Sequence, residues 1–280
     1  MKRPSYRRFA LFTTALTGVL VALGVYTAAT GAGLACSQQW PLCDGGVLPQ
    51  SIPSFIEWFH RLVAMITGFA IMGVVGAAWR GDQDRRTALF ATAALVLLPF
   101  QISVGAITVT LNGTIPWGYS VPTHAAHLLF ALSIFTALTL TTISAMRGHY
   151  RRSAHERSRL AVGAALVLIV ANFLVSRVSP LIDYGPAAQG TFALTALAAF
   201  AMLVAAAVWL PGTELARYRP GVFVAGAAMF LVTLLGRDLV VYTAEARLAN
   251  GLLYLVGFAA AAVVAYAARG GSNEERPSLA

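Results

Sequence analysis

The sequence predicts an all-α integral membrane protein with eight transmembrane helices in two pseudo-symmetric four-helix halves. Three observations lead there. The 280 residues are 58% hydrophobic and only 11% charged, outside the composition of ordinary soluble domains. Apolar runs of spanning length recur along the whole chain, and a span needs only about 20 residues. Eight such runs leave no room for a separate soluble domain. The third observation is where the basic residues fall. With the N-terminus in the cytoplasm, sixteen of the 20 basic residues lie in inner segments, from Lys2 and Arg3 to Arg269 and Arg276. Only Arg61, Arg177, Arg237 and Arg247 fall toward the other side. That bias predicts a multi-pass protein of the cell membrane with both termini cytoplasmic. The net charge of +9 then reads as contact with anionic lipid headgroups, and nucleic acid is rejected as a partner.

The first span, Phe9–Thr30, follows a basic stretch as the core of a signal peptide does. It is too long for a typical one, and another span follows closely, so it is expected to stay in the protein. The segment Gly31–Ser54 is an outer loop, because its glycines and prolines forbid a continuing helix. It holds both cysteines of the chain, Cys36 and Cys43. Thiols outside the cytoplasm tend to oxidise, so a disulfide closing a short loop is expected. With no further Cys or His nearby, a metal site there is not.

The second span, Phe55–Trp79, is interrupted by Glu57, His60 and Arg61. Glu57 and His60 are three apart and share one helical face. Ionisable groups inside a span mark a functional site by default. The plainer alternative is a pair of interfacial anchors at a helix end, but Trp58 and Arg61 alone would serve that purpose. The third span, Thr87–Thr110, carries Gln101 and Ser103, which are expected to face the bundle interior. Asn112-Gly113 and Pro116-Trp117 mark the next outer turn.

The fourth span, Val121–Met146, opens VPTHAAHLLFAL, with Pro122 suited to a first helical turn. His124 and His127 share a face. His127 lies roughly 8 Å below the start at 1.5 Å per residue, a depth comparable to that of His60. Imidazoles opposed across a bundle are an axial-ligand arrangement for haem iron. The alternative is polar packing through His–His or His–backbone hydrogen bonds. The basic loop 147–159 is read as cytoplasmic, with His149 and His155 solvated.

The second half repeats the layout in Leu160–Val178, Thr191–Leu210, Gly221–Val241 and Leu248–Ala268, a common device in membrane proteins. The expected division is 1–146, holding the haem or substrate site, then the loop 147–159, then 160–280. Laid over the first half, Thr191 stands where His60 is and Gly251 where His127 is. No histidine follows His155. Arg177, beside Asn172 in the fifth span, and Arg237, beside Asp238 in the seventh, are candidates to hold a haem carboxylate.

The pieces GVYTAATGAGLAC, WPLC, IEWFHRLVAMITG, VGAITVT and HLLFAL, in this order from Gly24 to Leu132, resemble the haem A synthase family, in an archaeal-like form. The resemblance implies oxidation of a methyl group of haem O to the formyl group of haem A, the cofactor of cytochrome oxidase. It implies His60 and His127 as iron ligands, Glu57 as the functional carboxylate, and Cys36 and Cys43 as the outer-loop pair. His124 has no counterpart; it and Arg61 are candidate haem contacts. Family members carry a second histidine pair, attributed to a haem b, and this chain lacks it. That departure leaves three readings: one haem site suffices, an electron donor supplies electrons as partner, or the activity is lost; haem O synthase is a further expected partner. A bis-histidine haem-binding or electron-transfer protein without catalysis is the alternative function, and a structural partner of an oxidase is a third.

Overall fold

The computed structural model describes residues 5–36, 39–40, 42–110, 121–236 and 243–270. Among them are eight α-helices and no β-strand: α1 Tyr6–Ala29, α2 Ile52–Arg80, α3 Arg85–Thr110, α4 Val121–Ala145, α5 Ala154–Leu174, α6 Pro186–Trp209, α7 Arg219–Leu235 and α8 Ala244–Gly270. All eight are long and apolar enough to cross a membrane, α7 together with the short 3-10 turn before it. Helices satisfy their own backbone groups, as lipid demands. The chain is an all-α multi-pass membrane protein.

Local chemistry sets the helix starts. Ser51 caps α2 by accepting from the Ser54 N–H, with Pro53 in the first turn. Asp84 caps α3, its carboxylate accepting from the Thr87 N–H at 2.7 Å. Ser153 caps α5 by accepting from the Glu156 N–H.

Two compact units divide the chain. The first is built on α1–α4 with the segment Ile182–Leu194. In it α1 packs on α2 and α4, and α3 packs on α2 and α4. Small residues and threonines let the backbones approach, as helix contacts in lipid require. Gly18 receives the Phe135 ring and Gly73 the Phe9 ring. The Thr14 hydroxyl lies 2.8 Å from that of Thr142 and 3.1 Å from the Leu138 carbonyl, joining α1 to α4. Ile71, Ala94, Ile134 and Leu138 form one buried cluster, and Val74, Ala78, Ala88 and Ala91 another. Phe12, Phe69, Val96 and Phe100 stay exposed, the apolar face that a bundle in lipid turns outward.

The second unit takes Gly148–Leu181, Thr195–Gly236 and α8. At its centre Tyr254 donates to Asn172 Oδ1 at 2.5 Å, and Asn172 Nδ2 donates to Thr195 Oγ1 at 2.8 Å. Three helices thus meet on one buried carboxamide.

The second half departs from expectation in three places. The Ser153 cap starts α5 at Ala154 rather than Leu160, so His155 is helical and half-buried, its Nε2 3.2 Å from the Ala268 carbonyl oxygen. It is not a solvated loop residue. At its other end α5 stops at Leu174, where Ser176 turns the chain by donating to the Phe173 carbonyl and accepting from the Val178 N–H. Arg177 therefore lies beyond the span rather than in it. Finally, α7 ends at Leu235. Arg237, Asp238 and the turn residues Asn112-Gly113 and Pro116-Trp117 lie outside the described residues.

Candidate functional site

The first turns of α2 organise the outer loop. Glu57 is buried, with 3% of its surface exposed. Its Oε2 accepts from the Cys36 N–H at 2.8 Å, and its Oε1 pairs with Nη2 of Arg61, one turn on. Arg61 Nη1 in turn donates to the carbonyl oxygens of Gln39 and Leu42, both at 2.9 Å. Cys36 and Cys43 are joined by a disulfide and are fully buried. The Ser54 hydroxyl lies 3.1 Å from Asp44 Oδ1, and Asp44 Oδ2 accepts from the Gln50 N–H at 2.8 Å. Asp44 and Gly45 adopt the left-handed region, with φ of 52° and 76°, which the tight turn after Cys43 requires. Glu57 and Arg61 therefore fasten the disulfide loop to α2. The sequence suggests a carboxylate beside the macrocycle and does not reveal this tether.

His60 follows Glu57 by one turn and faces α1. A Cβ placed on Gly24 would stand 2.9 Å from His60 Cε1, so the ring edge rests on bare backbone. Its Nδ1 is buried without a hydrogen-bond partner among the described residues. Leaving such an atom unsatisfied costs about 1–3 kcal/mol, and protein interiors keep few of them without a functional reason.

His127 on α4 has the same kind of seat. A Cβ on Gly105 of α3 would stand 2.9 Å from His127 Cε1. Gln101, one turn before Gly105, places its Nε2 3.2 Å from His127 Nε2. His124 is half-buried, one turn nearer the start of α4.

Both histidines therefore belong to the first unit, rise from α2 and α4, and lie against glycines of α1 and α3. Among the described residues no three His, Cys, Asp or Glu gather to hold a metal ion. A protein-only metal centre needs at least three such ligands, whereas axial haem ligation needs one or two. The unpartnered His60 nitrogen and the two glycine seats fit that second demand. The other candidates are placed elsewhere. Arg61 is committed to the loop carbonyls and Glu57, Arg177 belongs to the second unit, and Arg237 is outside the described residues. Sequence reasoning misses Gly24 and Gly105 as seats and Gln101 as a partner of His127. The spacing of Gln101 and Gly105, one turn apart on one face of α3, is the signal that could have found the latter two.

Residues 51–265 match the family described as cytochrome oxidase assembly protein, COX15-CtaA. A protoheme IX farnesyltransferase of Halobacterium salinarum is 36% identical over 155 residues, which are 53% of this chain and 32% of that protein. A heme A synthase of Bacillus licheniformis is 31% identical over 132 residues, 45% of this chain and 43% of that one. That of Geobacillus kaustophilus is 34% identical over 143 residues, 50% and 43% of the two chains. The match spans less than half the length of each of these relatives. No solved structure matches the chain.

Proposed function

The chain belongs to the COX15-CtaA family of cytochrome oxidase assembly proteins, and on that footing we propose that it oxidises the methyl group of haem O to the formyl group of haem A. The observation that carries the reading is the pair His60 and His127, each with its ring edge on a glycine of the preceding helix. Rings seated in this way would meet the haem iron in a fixed orientation, which is what a protein contributes when the macrocycle supplies the hard chemistry.

Methyl-to-formyl conversion adds one oxygen atom and removes four electrons, so dioxygen or an external electron acceptor takes part. The protein's share is to bind, orient and move protons. His60 and His127 orient the substrate through its iron. Glu57, one turn from His60, is the nearest carboxylate on that face and the candidate proton carrier; to act, it must loosen its hold on Arg61 or on the Cys36 N–H. Haem O must be supplied by an enzyme that makes it, so a haem O synthase is the proposed supplying partner. The basic inner segments support a cell-membrane orientation with both termini cytoplasmic.

Co-expression with a haem O producer, followed by chromatography of extracted haems, tests the reading. Hydroxylated haem O or haem A is expected. Unchanged haem O from well-expressed protein overturns the reading and favours a bis-histidine haem-binding or electron-transfer protein. The lack of any histidine after His155 is the observation on that side.

A further inference from the structure

We infer that Gln101 is a positioning residue that occupies Nε2 of His127 until haem iron displaces it; the inference rests on His127 as an iron ligand. An imidazole nitrogen carries one lone pair in the ring plane. The Gln101 amide stands 3.2 Å from Nε2, so iron and amide compete for that position. His127 Nδ1 is a buried atom, on the side of the ring that would lie 3.4 Å from a Gly105 Cβ. Nε2 would lie 3.7 Å from the same Cβ and is the nitrogen the Gln101 amide addresses, so iron at Nε2 is part of the proposal.

The other end of the carboxamide carries the inference further. Gln101 Oε1 is buried and has no hydrogen-bond partner among the described residues. A glutamine kept in a helix interface for packing alone is expected to have both ends satisfied, because an unmatched buried acceptor is destabilising. This one is held by a single bond, and that bond goes to the nitrogen iron would need. Gln101 and Gly105 lie one turn apart on α3, so the same helix face supplies the seat of the ring and the holder of its nitrogen. Once iron binds, the carboxamide is released at the site with both its donor and acceptor ends available.

The test is a haem titration of the full-length protein in detergent, followed by the low-spin bis-histidine absorbance. Wild type, Gln101→Leu, Gln101→Met and His127→Ala are compared, and thermal unfolding confirms that each variant is folded. Leu and Met keep the volume and remove the competing hydrogen bond. Both should tighten haem binding and speed association by about two- to tenfold, the range a single neutral hydrogen bond spans, with the low-spin spectrum unchanged. His127→Ala should abolish that spectrum. A packing role for Gln101 predicts the opposite sign, with weaker or equal binding in both variants. That result, with His127 still required, overturns this inference alone. A wild-type protein without the low-spin spectrum, or a spectrum indifferent to His127→Ala, overturns the haem reading and this inference with it.

Discussion

Substituting Gly105 by alanine is the most direct way to ask whether the seat of His127 is made for a ligand. The new Cβ would stand 2.9 Å from Cε1 and 3.4 Å from Nδ1 of the ring. Carbon atoms prefer about 3.5–4.0 Å, so the imidazole must retreat by roughly 0.5–1 Å. A ligand site tolerates displacement of only about 0.5 Å. Overpacking of this kind costs about 1–3 kcal/mol, and the gain in helix propensity from glycine to alanine is common to the free and bound folded forms, so it cancels in binding. In the free protein the ring can turn aside, so about 1–2 kcal/mol of the overpacking falls on the bound state. That corresponds to haem affinity reduced by about 5–30-fold. The assay is an absorbance titration with haem, with Gly163→Ala as the control. A Cβ at Gly163 meets nothing within 4 Å, so that variant should bind normally and be slightly more stable. Gly105→Ala protein with wild-type affinity and an unchanged low-spin band would refute the argument.

Three further predictions follow from other contacts. His127→Ala should abolish the low-spin signal while His124→Ala leaves it present; the reverse pattern would exchange the two assignments. Glu57→Gln removes the counter-charge of Arg61, which is 16% exposed. Breaking a buried pair costs about 3–5 kcal/mol, toward the lower end here because Arg61 keeps two carbonyl acceptors. A mild reductant should then open Cys36–Cys43 about tenfold faster or more, read by alkylation and mass spectrometry, and an unchanged rate would dismiss the tether. Asp84 is held below the ordinary carboxylate range by the Thr87 hydroxyl and N–H, with Arg147 and Arg86 adding to it. Its folded form binds fewer protons than its unfolded form, so its contribution is present above about pH 4 and fades as pH falls through the lower folded value. Asp84→Ala should therefore cost about 1 kcal/mol at neutral pH and progressively less under acid; an equal deficit at pH 7 and pH 3 contradicts this.

Hydropathy finds the spans because lipid forces each one to be long, apolar and helical. It finds their ends less well. Ser153 and Glu156 start α5 while the sequence is still charged, so a reading that waits for apolar residues begins too late. Glu57 and His60 stand out as ionisable groups on one face, and two cysteines in one outer loop suggest their own pairing. The destination of Arg61 is hidden, since it depends on the fold bringing the carbonyls of Gln39 and Leu42 back to α2. The glycine seats are hidden for another reason. Glycine is common in membrane helices, and nothing local distinguishes Gly24 from Gly163, where an added Cβ would meet nothing within 4 Å. In the second unit Asn172, Thr195 and Tyr254 come from three helices, and only the packed bundle shows that they form one hydrogen-bonded group.

Each glycine seat lies on the helix that precedes its histidine in the chain: α1 before α2, α3 before α4. The ribosome therefore delivers the receiving surface first and the imidazole second, twice in succession. Each helical hairpin can enter the membrane with its ring already placed, and the two hairpins then need only close on one another. Cutting the polypeptide between Arg80 and Arg85 leaves both seat-and-ring pairs whole, so two separately translated fragments divided there should reassemble around haem. A break between α1 and α2, or between α3 and α4, parts a ring from its seat and should not be rescued in this way.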